Sequence, residues 1–215
     1  MSAYLKGDRS KEEIIDKSRD LFNEYGLHLT LAKLAELMGT TLGRITHHFK
    51  NKDLLFVAIT QDYELKLNEL RKNRPIGLAN INNFINGSAQ VMDLQYDFRC
   101  AMRYTVASFQ HINEMNSHVQ TTYSSNRSFI KNTIKAYVDS GSLQPRILQD
   151  DIYEVFLFQL TNLFTNWVVN LELYDNDRPY HELKPIYLKG IISIFLPFLT
   201  EKGQEEVDEN GIFRT

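Results

Sequence analysis

The chain has 215 residues, of which 43% are hydrophobic and 24% charged, and its single cysteine, Cys100, excludes an internal disulfide and a multi-thiolate metal site. The formal net charge is −3, divided into +2 over residues 1–74 and −5 over residues 75–215. Glycine and proline are few and separate long periodic stretches, which predicts an all-α protein with a sizeable core. The lone thiol and a start without an apolar signal core indicate a cytoplasmic protein.

The first predicted helix covers residues 10–25. Ser10 is followed three residues later by Glu13, a capping-box pattern typical of a helix N-terminus. Apolar residues then recur at helical spacing, and Gly26 ends the segment. We expect this helix to complete a three-helix core with the two short helices that follow it.

Residues 29–55 predict two short helices separated by a tight turn. Thr30 is the expected N-cap of the first helix, and Gly39 supplies the left-handed turn after it. Thr41 is the expected N-cap of the second helix, whose apolar stripe leaves a polar face exposed. No acidic residue occurs between residues 37 and 52. A short helix with an apolar back and an acid-free polar front is suited to the major groove of DNA.

A longer pattern of residues surrounds this turn. Its positions are Thr30, Leu34, Ala35, Gly39, Thr41, Gly43, the run Ile45-Thr46-His47-His48-Phe49 and the run Lys50-Asn51-Lys52-Asp53. The pattern resembles the DNA-binding domain of the tetracycline-repressor (TetR) regulators, and the resemblance extends from about residue 11 to about residue 59. It departs from the family at Thr46, where a tyrosine usually precedes the His-Phe pair. A threonine reaches less far toward a phosphate.

The resemblance implies which residues contact DNA. The predicted DNA-binding residues are Thr30, Thr41, Leu42, Gly43, Arg44, Thr46, His47 and Lys52. Lys52, at the start of the next helix, is expected to contact a phosphate. The alternative is that the polar face of the second helix is only solvated. The His47-His48 pair predicts no metal site, because neighbouring residues on a helix point in different directions.

Beyond the turn, the pattern predicts helices up to residue 200. A helix from Lys52 to about Lys72 is a rod of about 30 Å, and the stretch 74–77 breaks it. Five more helices are predicted at about 78–92, 97–113, 117–140, 150–173 and 182–200. The predicted domains are a helix-turn-helix domain at 1–55, a connecting helix at 56–74, an effector-binding and dimerisation domain at 75–200 and a loose tail at 201–215.

The helices predicted at 150–173 and 182–200 are apolar on two sides, so both sides must be covered. Polar residues interrupt both helices, which argues against a membrane span. A second copy of the chain is the better covering, and the small residues Gly190 and Ser193 would let a partner helix approach. The resemblance also implies a four-helix dimer interface here. The predicted interface residues are Phe156, Leu163, Trp167, Ile191, Ile194, Phe195 and Phe198.

Polar residues set among apolar ones in the C-terminal part predict a ligand pocket. The candidate ligand-binding residues are Arg103, Tyr104, His111, Tyr123, Gln159, Asn162 and Asn166. A mostly apolar pocket with a few convergent polar groups would take a hydrophobic or aromatic small molecule. The alternative is that these residues are satisfied core groups or exposed positions.

These patterns together predict a homodimeric transcription regulator that binds a palindromic double-stranded operator. The resemblance implies a repressor that leaves its operator when a small molecule changes the separation of the two DNA-binding domains of the dimer. Both domains can bind only when their separation matches successive major grooves, about 34–36 Å apart. The alternative is a DNA-binding dimer without an effector, controlled by a protein partner or by its abundance. No pattern predicts an enzyme, a cofactor, a metal or a membrane partner.

Overall fold

A computed structural model describes residues 2–73, 79–108 and 113–214. These residues form ten α-helices and two 3₁₀ turns with no β-strand, which confirms the predicted all-α class. The helices are α1 (Ser2–Tyr25), α2 (Leu31–Leu37), α3 (Leu42–His48), α4 (Lys52–Lys72), α5 (Ile81–Asp97), α6 (Arg99–Ser108), α7 (Asn113–Asp139), α8 (Asp150–Leu173), α9 (Tyr180–Ser193) and α10 (Glu201–Asn210). Within these ranges no helix has the length and apolarity needed to cross a lipid bilayer.

The chain folds as two compact units whose boundaries differ from the predicted domains. The first unit contains Met1–Glu69 and Leu94–His118, and the second contains Leu70–Asp93 and Val119–Thr215. The first unit therefore takes in most of α4, which was predicted to be a separate connecting helix. It also takes in α6, which the sequence pattern assigns to the C-terminal domain.

Aromatic side chains explain why α4 and α6 join α1 in the first unit. Phe56 of α4 contacts both Phe22 of α1 and Tyr104 of α6, with ring centroids 4.4 Å and 3.7 Å away. Phe22 and Phe56 are fully buried, and buried aromatic rings of about 150–250 Å² each dominate the energetics of a core. The Tyr104 hydroxyl also donates a hydrogen bond to the Asp53 carboxylate in the first turn of α4.

Polar contacts join α6 to the last turn of α1. The Asn23 side chain accepts a hydrogen bond from the backbone N–H of Cys100 at 2.9 Å. Arg99 donates to the carbonyl oxygen of Asn23 at 3.3 Å. Arg103 donates to the carbonyl oxygen of Phe22, also at 3.3 Å. Basic side chains near a helix C-terminus interact favourably with its carbonyl groups and dipole, so these contacts hold α6 against that end of α1.

The two short helices of the first unit begin at the predicted caps. Thr30 Oγ1 accepts a hydrogen bond from the backbone N–H of Lys33 at 3.2 Å, and Thr41 Oγ1 accepts one from Arg44 at 3.2 Å. Gly39 between the helices has a φ of +63°, a left-handed conformation that a side chain would strain. These features confirm the predicted helix-turn-helix.

The capping box predicted at Ser10 does not start α1. The helix already begins at Ser2, so Ser10 and Glu13 lie inside it. Backbone N–H groups inside a helix bond to carbonyls one turn earlier and need no cap. The two side chains make contacts with Arg44 of α3 instead.

The second unit packs α5, α8 and α9 around a cluster of aromatic rings. Phe195, just after α9, lies 4.7 Å from Phe84 of α5 and 4.9 Å from Phe156 of α8, measured between ring centroids. Trp167 of α8 stacks on Tyr180 of α9 at 5.6 Å. The bounds predicted for α8 are confirmed, whereas α5, α6 and α7 occur with ends shifted by several residues. Residues 109–112 of the helix predicted at 97–113 lie outside the described residues.

The last predicted helix ends earlier than predicted, and the prediction of a loose tail is wrong. Helix α9 ends at Ser193, before its predicted end, because Pro197 has no N–H to donate and disfavours helical conformation in the residue before it. Residues 201–210 form α10, which begins after the N-cap Thr200. The Glu206 carboxylate of α10 is buried and accepts hydrogen bonds of 2.8 Å and 3.0 Å from the rest of the unit.

Candidate nucleic-acid interface

Helix α3 is anchored on one face and exposed on the other. Ile45 and Phe49 are 0% and 3% exposed, so they hold the helix against the core of the first unit. The predicted DNA-binding residues Leu42, Gly43, Arg44 and His47 are exposed, as are the caps Thr30 and Thr41, and Thr46 is half-buried. A short capped helix that presents polar side chains in this way can enter a major groove.

The hydroxyl groups of this surface already have backbone partners. Thr30 and Thr41 cap their helices, and Thr46 Oγ1 donates to the carbonyl oxygen of Leu42 at 3.1 Å. A hydroxyl oxygen can accept a further hydrogen bond but a phosphate needs a donor. Thr46 must therefore give up its bond to the helix before it donates to a phosphate.

Arg44 is paired with side chains of α1. Its Nη2 donates to Glu13 Oε2 at 2.8 Å and to Ser10 Oγ at 3.1 Å, and its Nε donates to Ser10 Oγ at 3.2 Å. The side chains of Arg44 and Glu13 are 45% and 44% exposed, so the ion pair lies at the surface. Lys17 and Arg44 together hold the pKa of the Glu13 carboxyl below its ordinary value, so it is ionised at neutral pH.

Lys52 points into the first unit. Its ammonium group donates to the carbonyl oxygen of Leu27 and lies 5.5 Å from the centre of the Phe22 ring. It also lies 6.0 Å from the ring centres of Phe56 and Tyr104. Burial lowers the pKa of this amine from its ordinary value. The phosphate contact predicted for Lys52 therefore requires its side chain to leave these partners.

The rings of His47 and His48 at the end of α3 lie 5.0 Å apart, measured between their centroids. Burial, and then the neighbouring His47, lower the pKa of His48 from its ordinary value. Among the residues that the structure describes, no group of three or more His, Cys, Asp or Glu side chains is placed to hold a metal ion.

Comparisons with known proteins agree with this geometry. Residues 14–59 match the family described as bacterial regulatory proteins of the tetR family. The fold is similar to the crystal structure of a TetR-family transcriptional regulator from Marinobacter aquaeolei VT8, with a TM-score of 0.79 and 20% identity over 95% of this chain and 98% of that one. Residues 14–59 therefore form a DNA-binding domain of the tetR-family type.

Sequence similarity to known transcriptional regulators covers only part of the chain. The transcriptional repressor AcnR of Corynebacterium jeikeium is 39% identical over 61 residues, which are 28% of this chain and 32% of that repressor. The chain therefore aligns with about a third of the length of such relatives. The complex of SmeT with triclosan has a similar fold, with a TM-score of 0.66 and 15% identity over 90% of this chain and 93% of that one. SmeT is the repressor of the Stenotrophomonas maltophilia multidrug efflux pump SmeDEF.

The described residues of the predicted ligand pocket belong to two different units. Arg103 and Tyr104 belong to the first unit, where they bond to α1 and α4. Three amide residues are exposed on α8 of the second unit instead of facing its interior: Gln159, Asn162 and Asn166. His111 lies outside the described residues, as does the side chain of Tyr123.

The residues predicted for the dimer interface are largely buried within a single chain. Four of its residues are 0% to 3% exposed within a single chain and belong to the core of the second unit: Phe156, Trp167, Ile191 and Phe195. Leu163, Ile194 and Phe198 are half-buried. The apolar stripe that remains exposed on α8 contains Val155, Phe158 and Leu173, at 59%, 68% and 65% exposure. The sequence shows that α8 has two apolar stripes, but it does not show which stripe faces the core and which faces a partner.

Proposed function

We propose that this protein is a TetR-family transcriptional repressor that reads double-stranded DNA with α3 in the major groove. The observation that carries the proposal is the pairing of Thr30-capped α2 with Thr41-capped α3 across the left-handed Gly39. Ile45 and Phe49 fix the back of α3, and this rigidity lets Arg44 on its front reach base edges.

We propose further that the protein acts as a homodimer through the exposed faces of α8 and α9. Phe158 lies in the exposed apolar stripe of α8 and is 68% exposed, and Ile186 on α9, which packs against α8, is 51% exposed. Exposed apolar patches mark interaction sites. An open groove of about 330 Å³ beside Val155 and Phe198 extends this surface. Gly190 on α9 is exposed with no atom within 4 Å of a Cβ built on it, so a partner helix could approach closely. A two-fold dimer would require a palindromic operator.

A small hydrophobic or aromatic molecule is the proposed effector. The support comes from SmeT, a repressor of similar fold whose structure contains triclosan. The second unit of this chain has an aromatic core that includes Phe84, Phe156 and Trp167, and aromatic side chains are common in pockets for such ligands. We expect the effector to bind this unit and release the operator.

Binding to a selected operator and to a scrambled duplex tests the proposal. Arg44→Ala should weaken operator binding by about 1–3 kcal/mol and reduce the preference over the scrambled duplex, because a base contact is lost. His28→Ala is the control, because His28 is exposed and lies outside the predicted reading surface. Equal losses on both duplexes, or no loss, would refute a reading role for α3. Release of the operator by hydrophobic compounds, screened by thermal shift, tests the effector separately.

A further inference from the structure

The hydrogen bonds of Arg44 leave one end of its guanidinium free. Nε and Nη2 donate to Ser10 and Glu13 of α1, whereas Nη1 has no acceptor among the residues that the structure describes. The two N–H groups of Nη1 are therefore available to DNA. Guanine O6 and N7 are the acceptors that arginine most often contacts in the major groove.

The acceptors on α1 are held in place by the helix itself. Ser10 and Glu13 are three residues apart, so they lie on one face of α1. The two carboxylate oxygens of Glu13 have separate partners, with Oε1 accepting from Lys17 at 2.9 Å and Oε2 accepting from Arg44 at 2.8 Å. This division fixes the orientation of the carboxylate. Acceptors on a rigid helix restrict the rotamers of a long side chain more than a mobile loop would.

We propose that Ser10 and Glu13 are positioning residues that orient Arg44 for base recognition and thereby set the sequence specificity of α3. The proposal rests on the proposed function, because it assigns a role within the same DNA-reading surface. Holding Arg44 before DNA arrives reduces the conformational entropy that is lost on binding. This gain applies only where a base offers acceptors in the right place, so it favours the operator over other DNA.

A competing role for the same contacts predicts the opposite result. If Glu13 only competed with DNA for Arg44, removing it would strengthen operator binding. Loss of a negative charge near DNA also strengthens binding to any duplex through the phosphates. The test therefore needs a variant with the same change in charge. Glu12→Ala supplies it, because Glu12 is the exposed neighbour of Glu13 on α1 and forms no ion pair with any residue that the structure describes.

The experiment measures the specificity ratio, the affinity for the operator divided by that for a scrambled duplex, at one salt concentration. Glu13→Ala should lower this ratio about three- to tenfold relative to Glu12→Ala, since part of a base contact is lost. Ser10→Ala should lower it in the same direction. In an Arg44→Ala background, Glu13→Ala and Glu12→Ala should have the same ratio. Equal ratios in the wild-type background, or tighter operator binding by Glu13→Ala than by Glu12→Ala, would overturn the proposal.

A measurement without DNA separates this proposal from the proposed function. In the free protein, the pKa of the Glu13 carboxyl, followed by NMR, should rise in Arg44→Ala because one of its two cationic partners is lost. An unchanged pKa would show that the two side chains do not pair in solution and would overturn the positioning role. If the pKa rises but no duplex is bound selectively, the proposed function fails while the contact itself stands.

Discussion

Truncation of Phe158 should split the dimer and leave the fold intact. The side chain is 68% exposed on α8, and a phenylalanine has about 200 Å² of surface, so roughly 140 Å² would be covered in a dimer. At about 25 cal/mol per Å², this burial contributes about 3.5 kcal/mol per subunit and about 7 kcal/mol per symmetric dimer as an upper limit. Allowing for the remaining methyl group and for ordering costs, Phe158→Ala should cost about 3 kcal/mol, or roughly a hundredfold in the dimer Kd.

Sedimentation velocity over a concentration series measures this Kd. Phe213→Ala is the control, because Phe213 is also an exposed phenylalanine but follows α10, away from the proposed surface in sequence. At concentrations low enough for both proteins to be monomeric, circular dichroism should show the same helix content and melting temperature for Phe158→Ala and Phe213→Ala. Ile191→Ala, in contrast, removes a buried side chain and should cost about 2–5 kcal/mol of unfolding free energy. A wild-type protein that is monomeric at micromolar concentration, or a Phe158→Ala variant with an unchanged Kd, would refute the reasoning.

The remaining predictions test the packing inside each unit. Gly203→Ala should lower the unfolding free energy by about 1–3 kcal/mol, measured by urea titration, because the new Cβ would lie 2.1 Å from the Ser142 carbonyl oxygen. The control is Glu205→Ala, which should have little effect because Glu205 is exposed. Burial raises the pKa of Cys100 to about 12, so iodoacetamide at pH 8 should modify the folded protein at least about a hundredfold more slowly than the denatured protein. Since this folded pKa exceeds the unfolded value, Cys100 stabilises the fold less as the pH rises from about 9 toward 12. Lys52→Ala should cost about 1–3 kcal/mol of stability even without DNA, measured by thermal unfolding, because its ammonium bonds to a backbone carbonyl between aromatic rings.

The sequence predicted the helix-turn-helix well because its signals are local. Thr30 and Thr41 bond to backbone groups three residues away, and the positive φ of Gly39 depends on a single residue. Asn51 likewise caps α4 by accepting from the backbone N–H of Leu54. Interactions within one turn of helix can be inferred from residue type and spacing alone.

The sequence-based predictions that were wrong depend on contacts between residues far apart in sequence. Helix α10 is polar and reads as a tail, but its Glu206 accepts hydrogen bonds from Ile81 and Ser142, which are far away in sequence. Thr200 before it and Gly211 after it were local signals of a helix that could have been recognised. The exposure of the amide side chains on α8 and the pairing of Arg44 with Glu13 depend on which face of each helix packs against its neighbours. Periodicity alone cannot decide that.

Selection of bound sequences from a pool of random duplexes, followed by footprinting, tests the central claim that α3 reads DNA within a dimer. The account predicts an enriched inverted repeat whose half-site centres are about 10–10.5 base pairs, or a multiple of that, apart, with one dimer protecting both halves. The Arg44→Ala variant should enrich the same repeat with relaxed preference at one position of each half-site. Enrichment of no sequence, or of an unpaired half-site protected by a monomer, would contradict the account.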